Sequence, residues 1–192
     1  MSLIEITAPA AEPVTAADVK AAARIDSDIT AFDAALALIL PGLRRQAEAR
    51  TGRRLITQTV ELVLDAFPAA EIDLQLPDVQ AITSVKYLDA VDGTQQTLDA
   101  NLYMFVDEAP GWLLPAYGTD WPATYDTTNA VRVRFTVGYG DAASDVPDEI
   151  RLWIIAHCVQ MLQSPAGLGA SNMAPLPFVD GLLAAHRFIR FA

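Results

Sequence analysis

Residues 30–54, TAFDAALALILPGLRRQAEARTGRR, decide the reading of this chain. Ile29, Phe32, Leu36, Ile39 or Leu40, Leu43 and Ala47 recur at steps of three and four, which places one apolar stripe along a helix. Thr30 or Asp28 is placed to cap its start, and Asp33 lies in the first turn, where the helix dipole favours a negative charge. Arg44, Arg45 and Arg50 fall toward the end, where positive charge is favoured, and Gly52 supplies a left-handed stop. At Leu55 the period changes from 3.6 to 2: Leu55, Thr57, Thr59 and Glu61 face one way, and Ile56, Gln58, Val60 and Leu62 the other. The chain therefore passes here from helix to strand. Pro41-Gly42 interrupts the stripe, and an interior proline costs roughly 3 kcal/mol. The expectation is a kink there, or two shorter helices with Pro41 opening the second.

Upstream, residues 1–14 read as an extended arm, with Leu3, Glu5 and Thr7 alternating against Ile4 and Ile6 as in a short edge strand. Thr15 to Asp18 is a capping-box variant that opens a short helix to about Ile25. Downstream, every signal from Leu55 to Gly140 is β. Residues 71–76 alternate, 85–88 and 94–98 flank an Asp92-Gly93 turn, and 102–106 and 112–114 are shorter candidates. Val131, Val133, Phe135 and Val137 alternate with Arg132, Arg134 and Thr136 in the sharpest strand of the sequence. About six short strands between proline-bearing turns predict an antiparallel sandwich or barrel. Helix returns at Val146-Pro147 and runs to Gln163, residues 167–177 read as a flexible stretch, and 178–191 as a last amphipathic helix.

The fold class expected is thus α+β, organised as follows. Residues 1–54 are an N-terminal arm and helices, and 55–140 an inserted antiparallel β domain. Residues 141–164 are a helix completing the small helical core, and 165–192 a linker with a C-terminal helical tail.

Composition narrows the function. The chain has 192 residues, is 52% hydrophobic and carries a formal charge of −11, so a grip on nucleic acid through phosphate neutralisation is not expected. No apolar run approaches the ~20 residues that cross a bilayer, and no basic start leads an apolar stretch, so neither membrane span nor signal peptide is expected. One cysteine, Cys158, excludes an internal disulfide framework.

No catalytic, cofactor or metal site emerges. His157 and Cys158 are neighbours on a helix and point about 100° apart, with nothing to orient the imidazole. His186 is the only other histidine. Asp89, Asp92, Asp107 and Glu108 lack the alternating spacing of a calcium loop. Residues 138–141, GYGD, lead into an acidic helix start that repels phosphate. Three groups of candidate contacts remain. Arg44, Arg45, Arg50, Arg53 and Arg54 form the one concentrated basic run, read as helix-end charge, as an edge meeting an acidic face of a neighbouring copy or, third because no aromatics interleave it, as a nucleic-acid patch. In the tail, Phe178, Leu182, Leu183, Arg187 and Ile189 offer an apolar face with flanking charge to a groove on another subunit or partner. Trp112, Tyr117, Trp121 and Tyr125 cluster in a loop that reads as packing, as a partner contact, or as a sugar-stacking platform.

The segments in order resemble the head–tail connector, or adaptor, proteins of tailed bacteriophages and prophages. PVTAADVK at 13–20, EARTGRRLITQT at 48–59, LDAFP at 64–68 and LPAYG at 114–118 with Trp121-Pro122 carry the resemblance. So do VRVRFTVGYG at 131–140, Val146-Pro147 with Ile150-Arg151, and LLAAHR at 182–187. It spans nearly the whole chain outside 165–177, each motif short and the shared order persuasive. Pro41-Gly42 departs from the pattern, as does His186, where a tyrosine-like residue after a proline is more usual. The resemblance implies a helical core with a β insertion and a ring of copies bridging the portal protein to a tail or head-closure protein. It implies DNA passing without specific binding, a place in the virion neck after assembly in the host cytoplasm, and no catalytic residues. The reading from another class is a small β-domain module taking a glycan or protein ligand through Trp112, Trp121 and Tyr125.

Overall fold

A computed structural model describes residues 1–163 and 177–189. Its contacts separate into two compact units, residues 1–10 with 57–139, and residues 11–56 with 140 onward. The fold is α+β, with four helices and antiparallel sheets among the described residues.

The β unit holds eight strands: β1 (Ser2–Thr7), β2 (Gln58–Leu64), β3 (Ile72–Asp73), β4 (Val79–Leu88), β5 (Gln95–Thr97), β6 (Tyr103–Val106), β7 (Trp112–Pro115) and β8 (Val131–Val137). They form a five-stranded sheet in the order β1-β2-β8-β4-β5 and a three-stranded sheet β3-β7-β6, antiparallel throughout. The N-terminal arm is the edge strand of the larger sheet, with Ser2 opposite Val63 and a bulge between Glu5 and Thr7. At the centre lies β8. Val131, Val133, Phe135 and Val137 are all fully buried there, at about 1.5–3 kcal/mol apiece. Val60, Leu62 and Leu64 of β2 join them, with Ile72 and Leu113 from the smaller sheet, so one core lies between the two sheets.

The expected strand at 71–76 is paired only at Ile72–Asp73. Gln75 takes a left-handed conformation (φ 68°) and its N–H donates to Asp73 Oδ1 (2.7 Å), which ends the ladder while Leu74 and Leu76 still point inward. The Asp92-Gly93 turn joins β4 to β5 with Gly93 at φ 69°, and Thr94 N–H donates to Asp92 Oδ1 (3.0 Å).

The helical unit is built from α1 (Ala16–Ala23), α2 (Asp33–Thr51), α3 (Asp148–Gln163) and α4 (Pro177–Leu182). Thr15 and Asp18 form the capping box of α1: Asp18 N–H donates to Thr15 Oγ1 (3.2 Å) and Thr15 N–H to Asp18 Oδ2 (2.9 Å). α2 is a single helix that passes through Pro41 without dividing. It starts at Phe32 without a side-chain cap, so neither Thr30 nor Asp28 serves, and Ile29 lies outside it, exposed. Leu36, Leu40, Leu43 and Ala47 form its buried face; α2 lies against α1 and α3, in which Val19, Ile150, Trp153, Ile154 and Cys158 are buried as well. Gly52 closes it at φ 70°, its N–H donating to Glu48 O.

The last segment differs from the continuous helix expected over 178–191. α4 ends at Leu182, a 3₁₀ turn covers Ala184–His186, and Arg187–Ile189 are extended. Gly181 and the turn at Leu183 fall inside the proposed stripe and end it. The expected flexible stretch lies outside the described residues but for Pro177. Among the described residues no helix is long and apolar enough to cross a membrane.

Candidate functional site

The basic run at the end of α2 is largely consumed within the helical unit. Arg44 is 6% exposed; its Nε donates to Glu12 Oε2 (2.9 Å) and its Nη1 to Glu48 Oε2 (3.2 Å). Arg54 Nη1 reaches the same oxygen of Glu48 (3.4 Å), and Leu55 N–H takes the other (3.1 Å). Arg53 Nε donates to the His186 carbonyl (2.8 Å). Arg50 Nη1 donates to Asp180 Oδ1 (2.7 Å), and its guanidinium lies 5.1 Å from the centroid of the Trp153 ring. Arg45 and Arg50 are both exposed; Arg50 is paired as just described, while Arg45 lends its positive charge to the surroundings of Glu12. Helix-end charge and internal pairing thus account for four of the five arginines.

The tail has a place in this same unit. Leu183 is buried, Phe188 N–H donates to Thr51 O (2.7 Å), and a side chain on Gly52 would meet the Phe188 carbonyl at 3.2 Å. Asp180 Oδ1 also accepts Trp153 Nε1 (3.0 Å), and His157 Nε2 lies 3.4 Å from it. The Trp153 hydrogen bond holds the Asp180 carboxyl below its ordinary range against a small cost of burial, with Arg50 adding to the effect. Leu182 is half-buried, while Phe178 (80%), Ile189 (60%) and Arg187 remain exposed.

The aromatic loop residues do not converge on one platform. Trp112 lies in β7, half-buried. Trp121 stacks on Phe67, centroids 4.9 Å apart and planes within 3°, and its Nε1 donates to Ala70 O (2.6 Å), so one face and the edge of the indole are taken. Tyr125 packs over Gly93, and Tyr117 is fully exposed elsewhere in the loop.

His157 and Cys158 do not act together. His157 Nδ1 donates to the Trp153 carbonyl (2.9 Å) and its ring lies against that indole at a tilt of 31°, while burial pushes the Cys158 thiol up to about 11. Among the described residues no group of three or more His, Cys, Asp or Glu is placed to hold a metal ion.

The outer face of the large sheet carries a group that the basic run overshadowed in the sequence. Register puts Lys86 opposite Arg132 and Glu61 opposite Arg134, all on the face away from the core. Glu61, its side chain 5% exposed, accepts Arg132 Nη1 on Oε1 (3.0 Å), and Arg134 Nε (3.1 Å) and Nη2 (2.8 Å) on Oε2. Burial alone raises its carboxyl; the hydrogen bonds and charges of Arg134 and Arg132 outweigh that and hold it below the usual range. With Lys86, these residues line a groove of about 480 Å³. The period-2 reading of β8 and β2 already placed Arg132, Arg134 and Glu61 opposite the core; what it lacked was the pairing of these strands.

No protein-family model matches the sequence, and no curated protein does. Solved structures do. Over 100% of its length the chain superposes on 98% of a chain from the neck of an empty gene transfer agent (GTA) particle computed with C6 symmetry, with TM-score 0.81 and 25% identity. The same figures hold for a chain of the virion of the native GTA particle. A chain from the native GTA neck computed with C12 symmetry gives TM-score 0.75 and 26% identity, again over 100% and 98% of the two chains.

The chain has the fold of a particle neck protein.

That likeness spans both units, since it covers the whole chain. Its setting is a phage-like virion, and the cyclic symmetry of those necks is the setting of a repeated subunit. A neck protein of this kind works through its surfaces.

Proposed function

We propose that this chain is a structural subunit of the neck of a tailed phage or phage-like particle, a head–tail connector that forms a ring joining the portal to the tail. The observation that carries the proposal is the whole-length likeness to neck chains at TM-score 0.81, with no part of either chain left over beyond 2%. The ring presents two different faces of each subunit to its neighbours. A formal charge of −11 per copy suits a channel through which DNA passes without adhering, because phosphates are repelled rather than paired. Of the residues read from sequence as contacts, Arg45, Phe178, Arg187 and Ile189 keep exposed side chains, and we assign these to portal or tail partners. Tyr117 is a further contact of that kind.

Deleting the gene in a cell that produces the particles tests this. Electron microscopy should find filled heads without tails, and complementation should restore tails, with the protein found by mass spectrometry in the neck fraction. Tailed particles from the deletion strain would overturn the proposal.

A further inference from the structure

The β unit carries two grooves of opposite charge at opposite ends of the β4–β8 pair. The basic one holds Lys86, Arg132 and Arg134 against a single carboxylate, Glu61, which leaves an excess of two positive charges in a chain whose formal charge is −11. Both oxygens of Glu61 are occupied by the two arginines, which fixes the guanidinium planes. The Arg132 and Arg134 side chains stay 44% and 37% exposed, and a guanidinium has five N–H donors, so each keeps donors for a ligand outside the chain. The second groove, about 530 Å³, lies where β4 begins and β8 ends, and the exposed Asp107 and Glu108 of the β6–β7 turn form its rim. Register fixes the spacing: Val79 faces Val137 at the acidic end, and Lys86 faces Arg132 at the basic end. Five residues of β8, opposite seven of the bulged β4, separate them, about 17 Å.

We propose that the basic groove receives the Asp107–Glu108 turn of the next copy of this chain, so that the two grooves are the two sides of one repeated contact. Two unlike, complementary patches at opposite ends of one unit propagate head to tail rather than closing in a pair, which is the geometry a ring needs. Charge complementarity selects the occupant. An acidic segment suits the groove, this chain supplies many copies of one, and each copy brings it at the spacing just given. Duplex DNA is the poorer occupant, since the net charge of each subunit repels it at range. The inference deepens the neck reading and rests on it for the existence of a ring.

Cysteine cross-linking tests it. Lys86→Cys and Glu108→Cys are placed together in one chain; Cys158, buried and held protonated, does not compete. Particles carrying the double variant, and the purified full chain at high concentration, are treated with a short bis-maleimide. The expected result is a ladder of dimers, trimers and higher species, with each single variant giving monomer alone. No ladder in either preparation overturns the inference. A second arm uses charge: K86E with R132E should cut incorporation into necks at least tenfold, and adding D107K with E108K to the same chain should restore it, which misfolding would not. Restoration failing while circular dichroism stays native overturns the inference. So does a fluorescent DNA duplex that binds the wild-type chain and is released by K86E. If the wild-type protein is found in necks but no ladder forms, this contact alone is wrong; if it is absent from necks, the reading beneath it is wrong.

Discussion

Glu48 is 4% exposed and accepts hydrogen bonds from Arg44, Arg54 and the Leu55 N–H, so one carboxylate joins the end of α2 to the residue that follows its turn. Glu48→Ala leaves the buried Arg44 with Glu12 alone and orphans the Leu55 N–H. The expected loss is about 3 kcal/mol in urea unfolding, and a loss below about 1 kcal/mol would contradict this account. Acid should act through the carboxyls whose titration the fold shifts. Hydrogen bonds from the Thr15 backbone and hydroxyl hold Asp18 below its ordinary 3.8, and Asp180 is likewise lowered. Glu61 is held below its ordinary 4.5 by its arginines, against burial. A carboxyl lowered in the fold stabilises it above the unfolded value, and that contribution is lost as pH falls through the folded one. Glu12, which burial raises, works the other way, so the loss is partial. Stability should be nearly level from about pH 7 to 5 and fall below about 4.5, less steeply in Glu61→Gln; stability that rises on acidification would contradict it. Cys158, with its thiol pushed up to about 11, should resist a disulfide reagent at pH 8 until the chain unfolds. What the sequence could not give at this scale is partnership: five arginines between residues 44 and 54 read as a surface, yet four find acceptors or an aromatic face from segments up to 133 residues away.

The outcome for α2 shows where local rules yield to packing. Pro41 removes one N–H and frees the Ala37 carbonyl, but Ala37 and Leu38 lie on the exposed side, where water can take it. The buried face of Leu36, Leu40, Leu43 and Ala47 continues on both sides of the proline and keeps the helix whole. Gly42 follows in helical conformation, and a Cβ there would meet nothing within 4 Å. Gly42→Ala should therefore raise stability by about 0.5–1 kcal/mol, read as a higher urea midpoint at unchanged slope. Gly52→Ala should do the reverse, by at least about 1 kcal/mol, because φ is 70° and Phe188 O stands in the way. If both substitutions behaved alike, the helix boundary assigned here would be wrong. Periodicity made α2 and β8 legible from the sequence, because each buries one face, and the Asp92-Gly93 turn marked the β4–β5 hairpin. It misjudged 71–76 and 178–191, where Asp73 captures a backbone N–H and where the turn at Leu183 ends the helix; both are local competitions that a two- or 3.6-residue period does not register.

At the scale of the whole molecule, the split into helical and β signals followed from where the period changes, and the character of the surface followed from composition. Which surfaces meet others did not, because the strands that build the Lys86–Arg132–Arg134 groove come from three parts of the chain and join only through pairing. Under the function proposed above, the chain faces two opposed demands in a neck: copies with a formal charge of −11 must associate, and DNA must slide past them. Local basic groups serve the first only if they are few and sheltered, since a broad basic surface would hold phosphate and stall the second. Glu61 between two arginines and Glu48 between two others keep cationic charge compensated at short range, within the roughly 8 Å screening length of physiological salt. The purified chain should accordingly leave a short DNA duplex unshifted in a gel at about 50 mM salt, where phosphate contacts are strongest. The charge-reversed Asp107→Lys, Glu108→Lys variant adds two exposed cations where the wild type has two acids, and weak binding that fades as salt rises should begin to appear. Wild-type binding with a log–log salt slope of several units would mean that the chain grips DNA, and the acidic channel argued from its charge would have to be abandoned.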